Sequence, residues 1–232
     1  RINEYLMLLI FDWDGTLADS RNHIVAAMQA AITHLQLPEQ TDDRCAQMIG
    51  VGLRETAMEL FSCFYNNGIN EQDGIDEQGL TQFSECYSKY FVELKQHHGE
   101  AQFFPGAIET LERLKAQGHL LAVATGKSRR GLDRALLADN LVDLFVATRA
   151  ADETASKPSP VMLEALLNET GMSAEQAVMI GDTSYDMQMA KNIDMRRIAV
   201  SYGVHEVSVL EQYAPSLVID RMDQLLQWSA LN

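Results

Sequence analysis

Asp12 and Asp14 stand two residues apart in the run Ile10-Phe11-Asp12-Trp13-Asp14-Gly15-Thr16, where the apolar stretch Leu6–Phe11 gives way to a glycine turn. Side chains two apart on an extended segment point to the same side, so both carboxylates face one small volume. Adjacent carboxylates repel, and the cost is relieved when a cation joins them or one takes a proton. The first solution is a hard, oxygen-ligated ion such as Mg²⁺. The second is a nucleophile beside a general acid. An N-capping Asp followed by a turn Asp would use the same residue types for structure alone. Trp13 lies between them on the opposite side and is expected to pack.

Three further sets sit in similar places. Ala122-Val123-Ala124-Thr125-Gly126-Lys127 ends an apolar run in a hydroxyl and turn amides, which together can hold a phosphate oxygen. Ser156-Lys157-Pro158-Ser159-Pro160 places a lysine in a proline-stiffened loop before a helix. An ammonium aimed from there at carboxylates would neutralise both an anionic nucleophile and an incoming phosphoryl group. Met179-Ile180-Gly181-Asp182-Thr183-Ser184-Tyr185-Asp186 repeats the opening logic, with a second acidic pair at a strand end. Acids at a helix N-terminus are also an ordinary electrostatic preference. Two acidic pairs at two strand ends of one sheet could converge on a single cation.

The elements that must carry these residues follow from periodicity. Leu6–Phe11 is expected to be a strand, and no strand pattern interrupts residues 20–98. Within that tract helices are expected over Asn22–Leu35, over Asp42–Phe64 in two pieces broken near Gly50-Val51-Gly52, and over Leu80–His97. Asn66–Gly79 reads as a loop. From Pro105 onward short apolar strands (Leu120–Ala124, Leu144–Ala147, Ala177–Ile180, Arg197–Val200, Leu217–Ile219) alternate with helices. That alternation predicts an α/β fold with a doubly wound, Rossmann-like parallel sheet. The helical tract then becomes an insertion after the first strand. The expected division is a core of residues 1–18 and 99–232 with an α-helical cap of residues 19–98, lying over the strand ends where ligands bind in such sheets.

Composition narrows the partners. The 232 residues carry 33 acidic against 18 basic side chains, a net charge of −15. Nucleic acid and anionic membranes both demand basic surface, so neither is an expected partner. Cys45, Cys63 and Cys86 are far apart with no metal-ligand spacing, which suits small buried residues of a reducing compartment. With no readable signal peptide or membrane span, a cytoplasmic location is expected. Nothing in the sequence fixes an oligomeric state.

Taken in order, the four sets resemble the motifs of the haloacid dehalogenase-like superfamily of phosphohydrolases. Asp12–Thr16 is similar to its Asp-x-Asp-Gly-Thr motif, Thr125 to its strand-end hydroxyl, Lys157 to its lysine, and Gly181–Asp186 to its Gly-Asp-x-x-x-Asp motif. The likeness spans essentially the whole chain. It is strongest to phosphoglycolate-phosphatase-like members with a helical cap, which Ala190-Lys191-Asn192 and Ser201-Tyr202-Gly203 also fit. The resemblance implies an Mg²⁺-dependent phosphatase for a small phosphorylated metabolite, working through an aspartyl-phosphate. Asp12 would be the nucleophile, and Asp14 the acid and then the base. Thr125, Gly126 and Lys157 would hold the phosphoryl group. Mg²⁺ would be bound by Asp12, the Asp14 backbone carbonyl and Asp182, with Asp186 as ligand or neighbour. Asp14 argues against carbon–halogen cleavage, which in this superfamily lacks that second acid. Phosphonate cleavage would need a Schiff-base lysine from the cap, where Lys89 and Lys95 are the only ones. A sugar phosphomutase of the β-phosphoglucomutase type shares all four motifs, and a non-catalytic binding protein could keep the fold.

Within the cap, Gly50–Arg54 is most like a substrate loop, and Arg54 could grip a carboxylate or second phosphate bidentately. Lys127, Arg129 and Arg130 form a basic cluster beside Thr125, read mainly as solvated charge. His97 and His98 are read as linker residues.

Overall fold

The computed structural model describes residues 6–62 and 75–231. Its centre is a six-stranded parallel sheet in the order β3-β2-β1-β4-β5-β6. The strands are β1 (Leu8–Phe11), β2 (Leu120–Ala124), β3 (Ala147–Arg149), β4 (Ala177–Gly181), β5 (Arg196–Val200) and β6 (Leu217–Ile219). β1, β2 and β4 are almost continuously apolar, because helices cover both faces of the sheet. Alternation assigns the faces. Leu9 and Phe11 join Leu111, Leu114 and Leu132 on one side, while Leu8 and Ile10 join Met162, Leu163 and Leu166 on the other. The covering helices are α5 (Ala107–Ala116) and α6 (Arg129–Ala138) on the first face, and α7 (Val161–Thr170) and α8 (Ser184–Lys191) on the second.

The strand order reverses direction beside β1, which pairs Phe11 with Val123 of β2 and with Ile180 of β4. A crevice opens beyond the carboxyl ends at such a switch point. Asp12 is the first residue past β1, and its N–H still donates to Ile180 O (2.9 Å). The sheet therefore delivers Asp12 into that crevice.

Between β1 and α5 come α1 (Arg21–His34), α2 (Asp42–Gln47), α3 (Leu53–Leu60) and α4 (Glu77–His98). They form their own apolar cluster around Ile24, Met28, Phe61 and Phe83. Gly50 separates α2 from α3 with φ +106, a left-handed backbone that a side chain would strain. The expected loop Asn66–Gly79 falls partly outside the described residues. At its described end the helix begins earlier than read, since the Asp76 carboxylate accepts from Gly79 N (2.7 Å) and caps α4. The Phe64 end of the second predicted helix, and Cys63, also lie outside the described residues.

One strand is displaced from its expected place. Leu144–Ala147 reads as a strand, but Val142–Leu144 is a 3₁₀ turn and the ladder begins at Ala147. Asn140, at φ 57, turns the chain so that Leu141 and Phe145 plug the core singly. The extended segment is then the polar Thr148-Arg149, whose end accepts from Thr125 N (3.0 Å). Trp13 packs as expected, edge-on to Phe103 at 5.8 Å between ring centroids. Among the described residues no helix is long and apolar enough to cross a membrane.

Candidate active site

Asp12, Lys157, Asp182 and Asp186 are gathered at the ends of β1 and β4, and all are buried. Lys157 Nζ lies 2.8 Å from Asp12 Oδ1 and 2.6 Å from Asp186 Oδ1. One carboxylate oxygen from each of Asp12, Asp182 and Asp186 lies within 4.8 Å of the others. The Asp14 carboxylate is outside this cluster. Its Oδ1 accepts from Ser20 Oγ (2.6 Å) and pairs with Lys127 Nζ (2.8 Å).

Each acid is held by its neighbours. Thr16 Oγ1 donates to Asp182 Oδ1 (2.8 Å), and Val204 N donates to Asp182 Oδ2 (2.8 Å). Asp186 Oδ2 accepts from both the N–H (3.1 Å) and the hydroxyl (2.7 Å) of Thr183, which caps α8. The turns are tight enough to exclude side chains. A Cβ on Gly15, whose φ is +85, or on Gly203 would run into the Asp182 carboxyl group. Tyr202 OH fastens the same corner by donating to Thr16 O (3.0 Å). Asp12 differs from the other two. Lys157 sits against Oδ1, but neither oxygen has a well-aligned hydrogen-bond donor among the described residues.

Electrostatics follow from one buried cation among three buried acids. Burial pushes Asp12 well above the usual carboxylate range; Lys157 pulls it back, while Asp186 and Asp182 add to the rise. Burial and then Asp186 push Asp182 up to about 7, against the opposing Val204 N–H, Thr16 hydroxyl and Lys157. Burial alone would lower Lys157, but Asp12 and Asp186 overcome it and hold the ammonium above its ordinary range. The cluster is short of positive charge. An unpartnered buried oxygen on Asp12 and an all-oxygen donor set suit a hard divalent cation such as Mg²⁺.

Thr125 is buried at the end of β2, and its hydroxyl accepts from Lys127 N (3.2 Å). Gly126 lies so close to the Gly50 backbone that a Cβ would sit 2.7 Å from it. The loop after β2 thus meets the loop between α2 and α3 backbone to backbone. Gly52 N adds a bond to Ser156 Oγ (2.8 Å), beside Lys157.

Two readings change, one in the helical tract and one in the loop after β2. Arg54 is not brought to the site: its exposed guanidinium is held bidentately by Glu77 (2.5 and 2.7 Å), and it does not line the adjoining cavity. Lys127, read as solvated, is instead largely enclosed between Asp14 and the Phe91 ring, whose centroid is 5.2 Å from Nζ. Its position two residues past Thr125, in the same turn, was the available signal. Arg130 is exposed, and Arg129 is spent on Thr148, Asp133 and Glu153. The buried Cys45 thiol is pushed up to about 11 by burial and Asp42, which leaves it protonated and inert at ordinary pH.

The family model of haloacid dehalogenase-like hydrolases matches residues 9–200, which include all of these acids and both lysines. The chain belongs to the haloacid dehalogenase-like hydrolases. A probable phosphatase, IndB, of Dickeya dadantii (strain 3937) is 30% identical over 94% of this chain and 91% of its own length. A phosphoglycolate phosphatase of Aliivibrio fischeri (strain ATCC 700601 / ES114) is 29% identical over 96% of each. A crystal structure of a predicted phosphoglycolate phosphatase from Haemophilus somnus 129pt shares the fold with a TM-score of 0.79. It is 24% identical, covering 97% of this chain and 98% of that one. As a haloacid dehalogenase-like hydrolase this chain is an enzyme of the phosphatase kind.

Proposed function

We propose that this chain is an Mg²⁺-dependent phosphatase for a small phosphomonoester, acting through an aspartyl-phosphate on Asp12. The observation that carries the reading is the buried cluster itself: Asp12 with an unpartnered oxygen, among two more carboxylates and one lysine. An Asp12 oxygen attacks phosphorus in line as the bond to the leaving oxygen breaks. Asp14, held by Ser20 and Lys127, gives that oxygen its proton and later takes one from the water that attacks the phospho-Asp. Lys157, Thr125 and the Gly126 amide hold the transferring phosphoryl oxygens, since phosphoryl transfer depends chiefly on positioning and charge neutralisation. Asp12, Asp182 and the Asp14 carbonyl would hold the metal, with Asp186 beside them. Mg²⁺ held there would supply charge that shields the carboxylate from the phosphate and helps orient the phosphate. The helices of residues 19–98 act as a cap over this core (residues 1–18 and 99–232). Phosphoglycolate, named for several relatives, is the first substrate to test. Phosphate release from a panel of phosphomonoesters should need Mg²⁺ and stop in EDTA; release unaffected by EDTA would remove the metal from the reading.

The same metal should appear in the melting curve, with a pH dependence. Asp12 and Asp182 are raised above the ordinary 3.8, Asp182 to about 7, so the metal-free fold is favoured where they are protonated. For Asp182 that advantage is lost as pH rises from about 4 through about 7 and it ionises, and Asp12 shifts in the same direction. Divalent binding needs the ionised forms, so its stabilisation grows over the same interval. At neutral pH and [Mg²⁺] of about 100 Kd the gain is about 2.7 kcal/mol, roughly 5–10 °C in Tm. Near pH 5 most of it should vanish; a gain equal at both pH values would place the ion elsewhere.

A further inference from the structure

A cavity of about 350 Å³ opens between the loop after β2 and helices α1, α3 and α4. Asp14, Gly126 and Lys127 form its floor, whereas Asp12, Thr125 and Lys157 do not line it. Gly126 apart, the groups that hold the phosphoryl oxygens lie outside it, so it is chiefly room on the leaving-group side. Ile24, Met28, Ile49, Val51, Phe91 and Val92 make one apolar wall, while Ser88, Gln96 and Ser128 bring polar groups to the rest. Tyr87 stacks on Phe91, with centroids 5.7 Å apart and planes 22° from parallel, and extends the wall as an aromatic shelf.

Two of the three lining cations are paired with carboxylates. Lys127 is paired with Asp14, and Lys95 with Glu100. The other lining cation, Arg134, is exposed on α6 at the solvent side, where water and salt screen it. A carboxylated leaving group would have to break one of those pairs or leave its own charge against hydrocarbon, which is costly. Size points the same way. A two-carbon hydroxy acid fills the space of about three water molecules, roughly 90 Å³ at ~30 Å³ each. The cavity instead falls in the ~300–1,000 Å³ range of pockets that enclose larger, mostly apolar ligands.

The geometry points to a substrate whose leaving alcohol is an extended apolar or aromatic group, seated on the Tyr87–Phe91 shelf, and not a short hydroxy acid. This rests on the phosphatase reading above. The leaving oxygen sits at Asp14, the carbon body lies along α1 and α4, and binding comes from apolar area removed from water.

The test is kcat/KM for ethyl, butyl, hexyl and 2-phenylethyl phosphate, whose leaving alcohols are similarly unactivated, beside phosphoglycolate. In parallel, 4-nitrophenyl phosphate is assayed with Mg²⁺, with EDTA and with Asp12→Asn. Specificity should rise by up to about fourfold per added methylene until the cavity is filled. The 2-phenylethyl ester should exceed phosphoglycolate by about tenfold or more, from several methylene equivalents of buried area. Val92→Trp, which fills the cavity from α4, should lower kcat/KM for the hexyl ester more than for the ethyl ester. A flat or falling series, or phosphoglycolate as the best substrate, overturns the inference. If Mg²⁺-dependent release of nitrophenol persists and is lost in Asp12→Asn, it does so without touching the phosphatase reading. No Mg²⁺-dependent release from any ester overturns both.

Discussion

Asp12→Asn should abolish turnover, lowering kcat by on the order of 10⁴-fold or more, while leaving the fold at least as stable at neutral pH. The amide keeps the size and shape of the carboxylate but cannot attack phosphorus. Its effect on stability follows from the direction in which Asp12 is shifted. Burial and the nearby Asp186 and Asp182 outweigh Lys157 and raise its pKa, so the ionised side chain is a net strain on the metal-free protein. A neutral isostere relieves that strain, although Lys157 keeps only Asp186 as partner. Phosphate release and a thermal melt on the same preparation separate the two effects. Turnover within tenfold of the parent, in a folded protein, would remove Asp12 as nucleophile.

Lys157→Met has the opposite signature, losing both stability and activity. The ammonium is fully buried between Asp12 and Asp186 and is the only cation touching the three-carboxylate cluster among the described residues. Methionine fills much of the volume, but three acids then face each other uncompensated. Breaking a buried ion pair in this way costs about 3–5 kcal/mol, roughly 6–20 °C in Tm. Loss of a phosphoryl-oxygen contact should lower kcat a further 10²- to 10³-fold or so. Excess Mg²⁺ should recover part of the melting temperature, because it supplies charge to the same acids, and little of the turnover. A variant that melts like the parent in EDTA would mean that Lys157 does not neutralise the cluster.

The sheet and the gathering of the acids were legible for one shared reason. Buried parallel strands are short apolar runs, and Asp12, Thr125 and Asp182 each follow such a run directly, so finding the strand finds the residue. What escaped depends on contacts between distant segments. Lys127 belongs to the run Lys-Ser-Arg-Arg, which by itself describes solvated charge; only the packing of Phe91 against it encloses it. Arg54 beside two glycines looks like a ligand arm, yet its partner is Glu77, 23 positions on. The helpers Thr16, Ser20 and Thr183 are ordinary turn and cap residues until the acids they serve are in place. β3 was displaced because hydrophobicity marks Leu144–Phe145 more strongly than the polar pair that forms its ladder with β2.

The hydrogen bond from Thr16 to Asp182 joins positions 166 apart in the chain, and Ser156 meets Gly52 across 104. No segment of the polypeptide holds the whole cluster: Asp12 comes from the end of β1, Lys157 from the loop before α7, and Asp182 and Asp186 from the end of β4 and the start of α8. Closing such long loops carries an entropic cost before any contact rewards it, and non-local pairings form late. Catalysis is thus a timing signal for the whole chain: in refolding from denaturant, circular dichroism from the local helices returns first and enzymatic turnover last. A fragment ending before β4 lacks both Asp182 and Asp186, and with them two of the three acids of the cluster.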